Sequence, residues 1–244
     1  MSKVCIGVVY KNSAQWLPQV LKNIELYAKC FANYEVVLVD GHSTDFSTVM
    51  CLEWAVKDSQ NRHVMVQPSK NLPRPAMLLE ARTMVINAFL PSFGPGVFLL
   101  LLDSDSVNAP PLNIRGFMTC FKNNKWDALF ANQPKCYYDV WTLRDQNLPH
   151  DYQAEWRQTG GDLAAITAKY QAPKPPSLGF WPVLSAYGGA ALYKTEKMTP
   201  NPPKYQCYSP DGHEVCEHVP FNLEMGQRGA KMFINCEWLN GDHE

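Results

Sequence analysis

"VFLLLLDSDSV", residues 97–107, is an unbroken apolar run that ends in two acids one residue apart. Such a run suits a strand buried on both faces, and in open α/β sheets ligands collect beyond the carboxyl ends of such strands. Side chains two apart on a strand share a face, so Asp103 and Asp105 are expected to converge on one point. Two carboxylates there repel each other unless a cation sits between them, and their hard oxygens favour Mg²⁺ or Mn²⁺. The plainer alternative is that Asp103 caps the following turn and Asp105 is a solvated loop acid.

The sequence before this strand alternates between two periodicities. "VCIGVVY" (4–10), "YEVVLVD" (34–40) and "HVMVQPS" (63–69) read as strands. The segments 13–31, 45–56 and 75–90 carry apolar residues at helical spacing, with Trp16, Leu17, Val20, Leu21 and Ile24 on one stripe of the first. Strands separated by helices of this length imply βαβ units, hence an α/β fold with a mainly parallel sheet. After Asp105 the rhythm changes. A proline-opened helix is predicted over 110–124, strands over 126–133 and 137–144, sheet-like sequence over 183–194, a helix over 216–229 stopped by Gly229, and a strand over 231–239. Residues 146–182 are poorly periodic and rich in Gln and Pro, which suggests a loop or lid over a site.

The chain has 244 residues, a formal net charge of −1 and 18% charged residues, so it offers no basic field for nucleic acid and no polybasic membrane anchor. Its apolar runs are too short for a membrane span or a signal segment, and a cytoplasmic location is expected. Eight cysteines are scattered without a C-x-x-C pair, which argues against a zinc knuckle or a dithiol centre. Cys207 and Cys216 flank a short loop, but a reducing compartment favours free thiols.

Other candidate site residues follow the same strand-tip logic. Asp40 ends the second predicted strand and is placed to accept hydrogen bonds from a base or ribose, while Asp45 suits a helix cap. Arg82 lies inside an otherwise apolar helix and must be paired, either with a structural carboxylate or with a phosphate.

The ordered set "VVYKN" (8–12), "VVLVDGHSTD" (36–45), "EAR" (80–82) and "FLLLLDSDS" (98–106) resembles the GT-A glycosyltransferases, the D-x-D enzymes that use nucleotide sugars. The likeness covers about the first 145 residues best; "SAYGGAALYK" and "CEHVPFNLEMGQRGAKMFIN" resemble that group's acceptor-side strands and base-bearing helix. Within it the chain is most similar to small enzymes of large DNA viruses, which would place it in host cytoplasm, and to polysaccharide-assembling enzymes of bacteria and fungi. The resemblance implies one GT-A domain, Rossmann-like, with helices on both faces of its sheet. Residues 1–108 would bind the nucleotide sugar and 109–244 the acceptor, a glycan or glycoprotein hydroxyl. It implies that Tyr10 and Asp40 line the nucleotide pocket, that Asp103 lies near ribose and metal, and that Asp105 is the firmer ligand of Mn²⁺ or Mg²⁺. Arg82 would help neutralise the diphosphate. UDP is the favoured carrier, because Asp40 can accept from the uracil N3–H.

An inverting hexosyl or pentosyl transfer needs a group that takes the acceptor proton. "DGHEVCEHVPF" offers Asp211, Glu214 and Glu217 beside His213 and His218, and Glu217 occupies the place of the group's catalytic acid. The alternatives are that Glu217 only complements the helix dipole, and that the reaction retains configuration. His243 would be a third metal ligand or a solvated tail residue. Trp141, Trp156 and Trp181 would form a sugar-stacking wall or belong to the core. A rival class, the haloacid-dehalogenase-type phosphatases, also has an apolar strand followed by D-x-D-x-V, with its first Asp as nucleophile. That motif normally lies near the start of its domain, whereas three βα units precede Asp103 here. A carbohydrate-binding module or inactive scaffold is the non-enzymatic alternative.

Overall fold

A computed structural model describes residues 3–209 and 211–241. Eight strands, β1 (Lys3–Tyr10), β2 (Asn33–Asp40), β3 (Arg62–Val66), β4 (Val97–Asp103), β5 (Ala128–Asn132), β6 (Phe180–Pro182), β7 (Ala190–Lys194) and β8 (Met232–Leu239), form one sheet in the order β3-β2-β1-β4-β7-β5-β8-β6. β3, β2, β1 and β4 are mutually parallel, as are β5 and β8; β7 runs against both β4 and β5, and β6 against β8. The expected α/β architecture of the GT-A type, with a mainly parallel sheet covered on both faces, is present.

Alternation along the strands builds two cores. Val4, Ile6, Val8 and Tyr10 of β1, with Leu100 and Leu102 of β4, pack with α1 (Leu17–Ala28), α2 (Ser47–Ala55) and α4 (Ile114–Met118). Cys5 of β1, with Leu99 and Leu101 of β4, packs with α3 (Arg74–Phe89), α6 (Leu163–Tyr170) and α7 (His218–Gln227). Gly7 sets how closely α3 approaches the sheet. A Cβ there would stand 2.2 Å from Val85 Cγ1, so only glycine lets that turn of α3 rest on β1. Arg82, one turn earlier on α3, is thereby held near the tip of β4.

The first half matches the sequence expectations to within a few residues; the second departs from them. The helix expected over 110–124 is shorter: Asn113 accepts the Gly116 N–H to start α4 at Ile114, and a single 3₁₀ turn over 119–121 follows it. Residues 137–144 are turns rather than a strand, and their one ladder contact is an isolated bridge between Arg144 and Ser185. In 183–194 only β7 is a strand, because Gly188 and Gly189 both take positive φ and break the extension before it. The expected loop 146–182 contains α5 (Tyr152–Thr159) and α6, capped by Asp151 and Asp162, with Ile166 and Tyr170 buried in the core. All eight cysteines are free. Among the described residues no helix is long and apolar enough to cross a membrane.

Candidate active site

A cleft of about 330 Å³ opens beyond the carboxyl ends of β1, β2 and β4. Its walls come from both halves of the chain: Lys11, Gly41, Arg74, Arg82, Asp103 and Asp105 from the first, Asp139, Trp141, Tyr187, Glu217 and His218 from the second.

Arg82 is the centre of the charge arrangement. Its Nε donates to Glu217 Oε1 at 2.6 Å and its Nη2 to Asp103 Oδ1 at 2.9 Å. Its Nη1 reaches the Tyr187 hydroxyl at 3.4 Å, and that hydroxyl also donates to Asp103 Oδ1 at 3.2 Å. The predicted alternatives for Arg82, structural carboxylate or phosphate, resolve toward two carboxylates, although the residue still lines the cleft. With Arg82 and Glu217 each 4% exposed, this is a buried pair in which each charge depends on the other. Burial works to raise the Glu217 carboxyl. The His218 and Arg82 fields outweigh it and hold Glu217 down to about 2. His218 is itself driven toward the neutral imidazole by burial and by the Arg82 charge, so the guanidinium is the charge that keeps Glu217 ionised.

His218 stacks on Tyr187 with ring centroids 3.8 Å apart, is 1% exposed, and finds no hydrogen-bond partner for either ring nitrogen among the described residues. A buried polar group left unpaired at a cleft wall is costly unless a ligand or water meets it.

The two strand-tip acids of β4 separate in role. Asp103 closes the strand on the α3 face, and burial, opposed by Arg82 and reinforced by Asp105, pushes its carboxyl up to about 7. Asp105 lies past the strand end, exposed at the rim, where Oδ1 accepts the Val107 N–H and opens a short 3₁₀ turn. Thus Asp105 does the capping that the plainer alternative gave to Asp103. Among the described residues no three His, Cys, Asp or Glu side chains are grouped to hold a metal ion. Two carboxylates completed by a ligand's phosphates are nonetheless how Mg²⁺ is commonly held, and Asp103 and Asp105 both line the cleft, with Asp105 adding to the burial that raises Asp103. The pair therefore fits such an ion.

Asp40 and Tyr10 lie on the other face of the sheet. Tyr10 belongs to the core under α1 and α2, and the register pairs it with Asp40. The Asp40 carboxylate, 3% exposed, accepts from the Ser43 N–H and hydroxyl at 2.9 and 2.7 Å and from Thr48 Oγ1 at 2.8 Å. The structure therefore brings Tyr10, Arg82, Asp103, Asp105 and Glu217 to the lining of the cleft and leaves Asp40 wrapped by Ser43 and by Thr48 of α2. Trp141 lines the cleft; Trp156 and Trp181 do not. Asp45 caps α2 through the Ser47 N–H, as expected. His243 lies outside the described residues.

Sequence reasoning missed Asp139, Lys11 and Arg74. Asp139 sits in a turn, "YYDVWT", whose alternation imitated a strand, and Gly188 places it. The Gly188 N–H donates to Asp139 Oδ2 at 2.9 Å; its φ of 63° and the 2.4 Å from its would-be Cβ to the Ala131 carbonyl oxygen both demand glycine. Lys11 and Arg74 line the cleft with no carboxylate partner among the described residues.

The model of glycosyl transferase family 2 matches residues 5–197, most of the chain. The chain belongs to this family. No curated protein matches it by sequence. Among solved structures it is similar to S. aureus TarS 1-349, at 15% identity and a TM-score of 0.58 over 98% of this chain and 59% of that one. It is also similar to the mannosyltransferase PcManGT from Pyrobaculum calidifontis in complex with GDP-Man and Mn²⁺, at 14% identity and a TM-score of 0.55 over 98% of this chain and 56% of that one. A third is glucosyl-3-phosphoglycerate synthase from Mycobacterium tuberculosis with Mn²⁺, UDP and glucosyl-3-phosphoglycerate, at 10% identity and a TM-score of 0.50 over 100% and 72%. This family member thus spans less than two thirds of the first two, and at these identities the likeness is one of fold.

Proposed function

We propose that the protein transfers a sugar from a nucleoside diphosphate sugar to a hydroxyl of a glycan or glycoprotein, with a divalent ion and with inversion. The observation that carries this reading is the cleft itself: at the carboxyl ends of β1, β2 and β4 it sets Asp103 and Asp105 among the cations Lys11, Arg74 and Arg82. A departing diphosphate concentrates negative charge, and fixed cations aimed at it stabilise the transition state. Asp103 and Asp105 would hold Mn²⁺ or Mg²⁺, which supplies further charge neutralisation at the diphosphate. In this reading residues 1–108 bind the donor, with Tyr10 at the cleft wall and Asp40 holding the loop that carries Gly41 beside the nucleoside, and 109–244 supply the acceptor side, where the Trp141 ring suits the C–H face of a pyranose. UDP is the proposed carrier, as in the M. tuberculosis structure; GDP, present with the Pyrobaculum enzyme, is the alternative. The transferred group is a hexosyl or pentosyl unit. The phosphatase reading is weaker because its nucleophile, Asp103, has one oxygen already taken by Arg82 and Tyr187.

The test is incubation with Mn²⁺ and UDP-, GDP- and dTDP-sugars, measuring release of free nucleoside diphosphate, with calorimetry of Mn²⁺-dependent UDP binding. Asp105→Ala should abolish both signals while the fold is kept, since its cap is exposed and worth about 1 kcal/mol. Activity on simple aryl phosphates with none on nucleotide sugars would replace this reading with the phosphatase.

A further inference from the structure

Four carboxylates line the cleft, and their surroundings sort them. Glu217 and Asp103 share the Arg82 guanidinium, and Glu217 is almost completely sealed. Asp105 stands at the exposed rim and caps Val107. Asp139 alone is both partly enclosed and without a cationic partner among the described residues. Its Oδ2 is fixed by the Gly188 N–H, Thr142 hydrogen-bonds the same carboxylate, and its backbone carbonyl accepts from Thr142 Oγ1 at 2.9 Å, which stiffens the turn; a carboxylate has about four acceptor sites, so these contacts leave it able to accept one more. A proton acceptor needs a rigidly placed carboxylate with an open lone pair and no cation holding its charge.

We propose that Asp139, rather than Glu217, takes the proton from the acceptor hydroxyl; this rests on the glycosyltransferase reading above. As the acceptor oxygen bonds to the sugar C1, the C1–O bond to the diphosphate breaks and its electron pair leaves with the diphosphate. The hydroxyl proton passes to the Asp139 carboxylate and then to solvent. Glu217 is the anchor that fixes Arg82 against Asp103. The groups that bear on Asp139 are Glu217 and Cys216 ahead of α7, Asp103 on β4, and Tyr137 and Tyr138 on its own segment. Burial, opposed by the Gly188 N–H and by Thr142 and reinforced by Glu217, pushes the Asp139 carboxyl up to about 6, close to the working range of a general base.

The experiment uses the whole protein with Mn²⁺ and UDP-glucose, UDP-N-acetylglucosamine or GDP-mannose, with water as acceptor, following nucleoside diphosphate release against pH. The unaltered protein should gain rate as pH rises through about 6. Asp139→Asn keeps an acceptor for the Gly188 N–H, and should lose about 10²–10⁴-fold in rate while Mn²⁺–UDP affinity by calorimetry is not weakened. Azide, a nucleophile with no proton to lose, should restore turnover to Asp139→Ala as the glycosyl azide, and a merely structural role would give no such rescue. Glu217→Gln should keep the limb in whatever activity remains, moved to lower pH because the Glu217 charge no longer raises Asp139. Asp139→Asn with unaltered rate and pH profile, or Ala without azide rescue, overturns the assignment alone. Absence of any nucleotide-sugar turnover or binding by the unaltered protein overturns the functional reading along with it.

Discussion

Asp40 and Asp103 begin as the same feature, an acid at the end of an apolar strand, and finish in opposite circumstances. Residues 36 and 38 of β2 face the α1–α2 core, so Asp40 by parity points there, where Ser43 and Thr48 of α2 supply three hydrogen bonds. Residues 99 and 101 of β4 face the α3 core, so Asp103 points toward Arg82 and the cleft. The difference teaches that a strand-tip acid acquires its role from the face on which it falls. A one-residue offset between two strands on either side of β1 exchanges a structural cap for a charged site.

The largest effect that would sharpen this contrast is at Arg82. Arg82→Met leaves Glu217 charged, buried and unpaired, which should cost about 3–5 kcal/mol and lower the melting temperature by on the order of 10 °C. Chemical and thermal denaturation would show it; a loss no greater than a surface substitution gives would mean that Arg82 serves only a ligand. Next is the direct comparison of the two tips. Asp40→Ala removes the acceptor of three hydrogen bonds and should cost about 1–3 kcal/mol. Asp103→Ala should cost less stability, because Arg82 keeps Glu217, and should abolish Mn²⁺-dependent nucleotide binding. Equal losses of binding in the two variants would break the contrast and restore Asp40 to direct contact with the nucleoside.

The smallest effect is on pH. Glu217 is held at about 2 against an ordinary value of 4.5, so its contribution to stability is fully present above the ordinary value and is lost as pH falls toward 2. Asp103, raised to about 7, acts with the opposite sign: stability falls as pH rises toward 7, and a divalent ion should offset that fall. Melting curves with and without Mn²⁺ across this range would separate the two, and Mn²⁺ protection that is stronger at acid than at neutral pH would contradict the assignment of Asp103.

The helices α5 and α6 are encoded by local capping signals rather than by apolar periodicity. Asp151 and Asp162 are caps, and Gly160 ends α5 at a φ of 64°, all visible in "HDYQAEWRQTGGD". The turn at 137–144 failed for a physical reason. Its residues alternate like a strand, but a strand exists only where a neighbouring ladder receives it, and here one bridge at Arg144 is all that forms.

What the sequence by itself determined is what local periodicity carries: four parallel strands, the helices between them, and acids at two strand ends. These follow from apolar spacing within windows of ten or so residues, where burial alone selects the conformation. Only the tertiary structure decided which acids meet which cations. Arg82 and Glu217 are 135 residues apart, and Asp139 and Gly188 are 49 apart. No local pattern encodes those distances. They are fixed by strand register, by the close seat of α3 over Gly7 and by the left-handed turn at Gly188, which act together only once the sheet is complete.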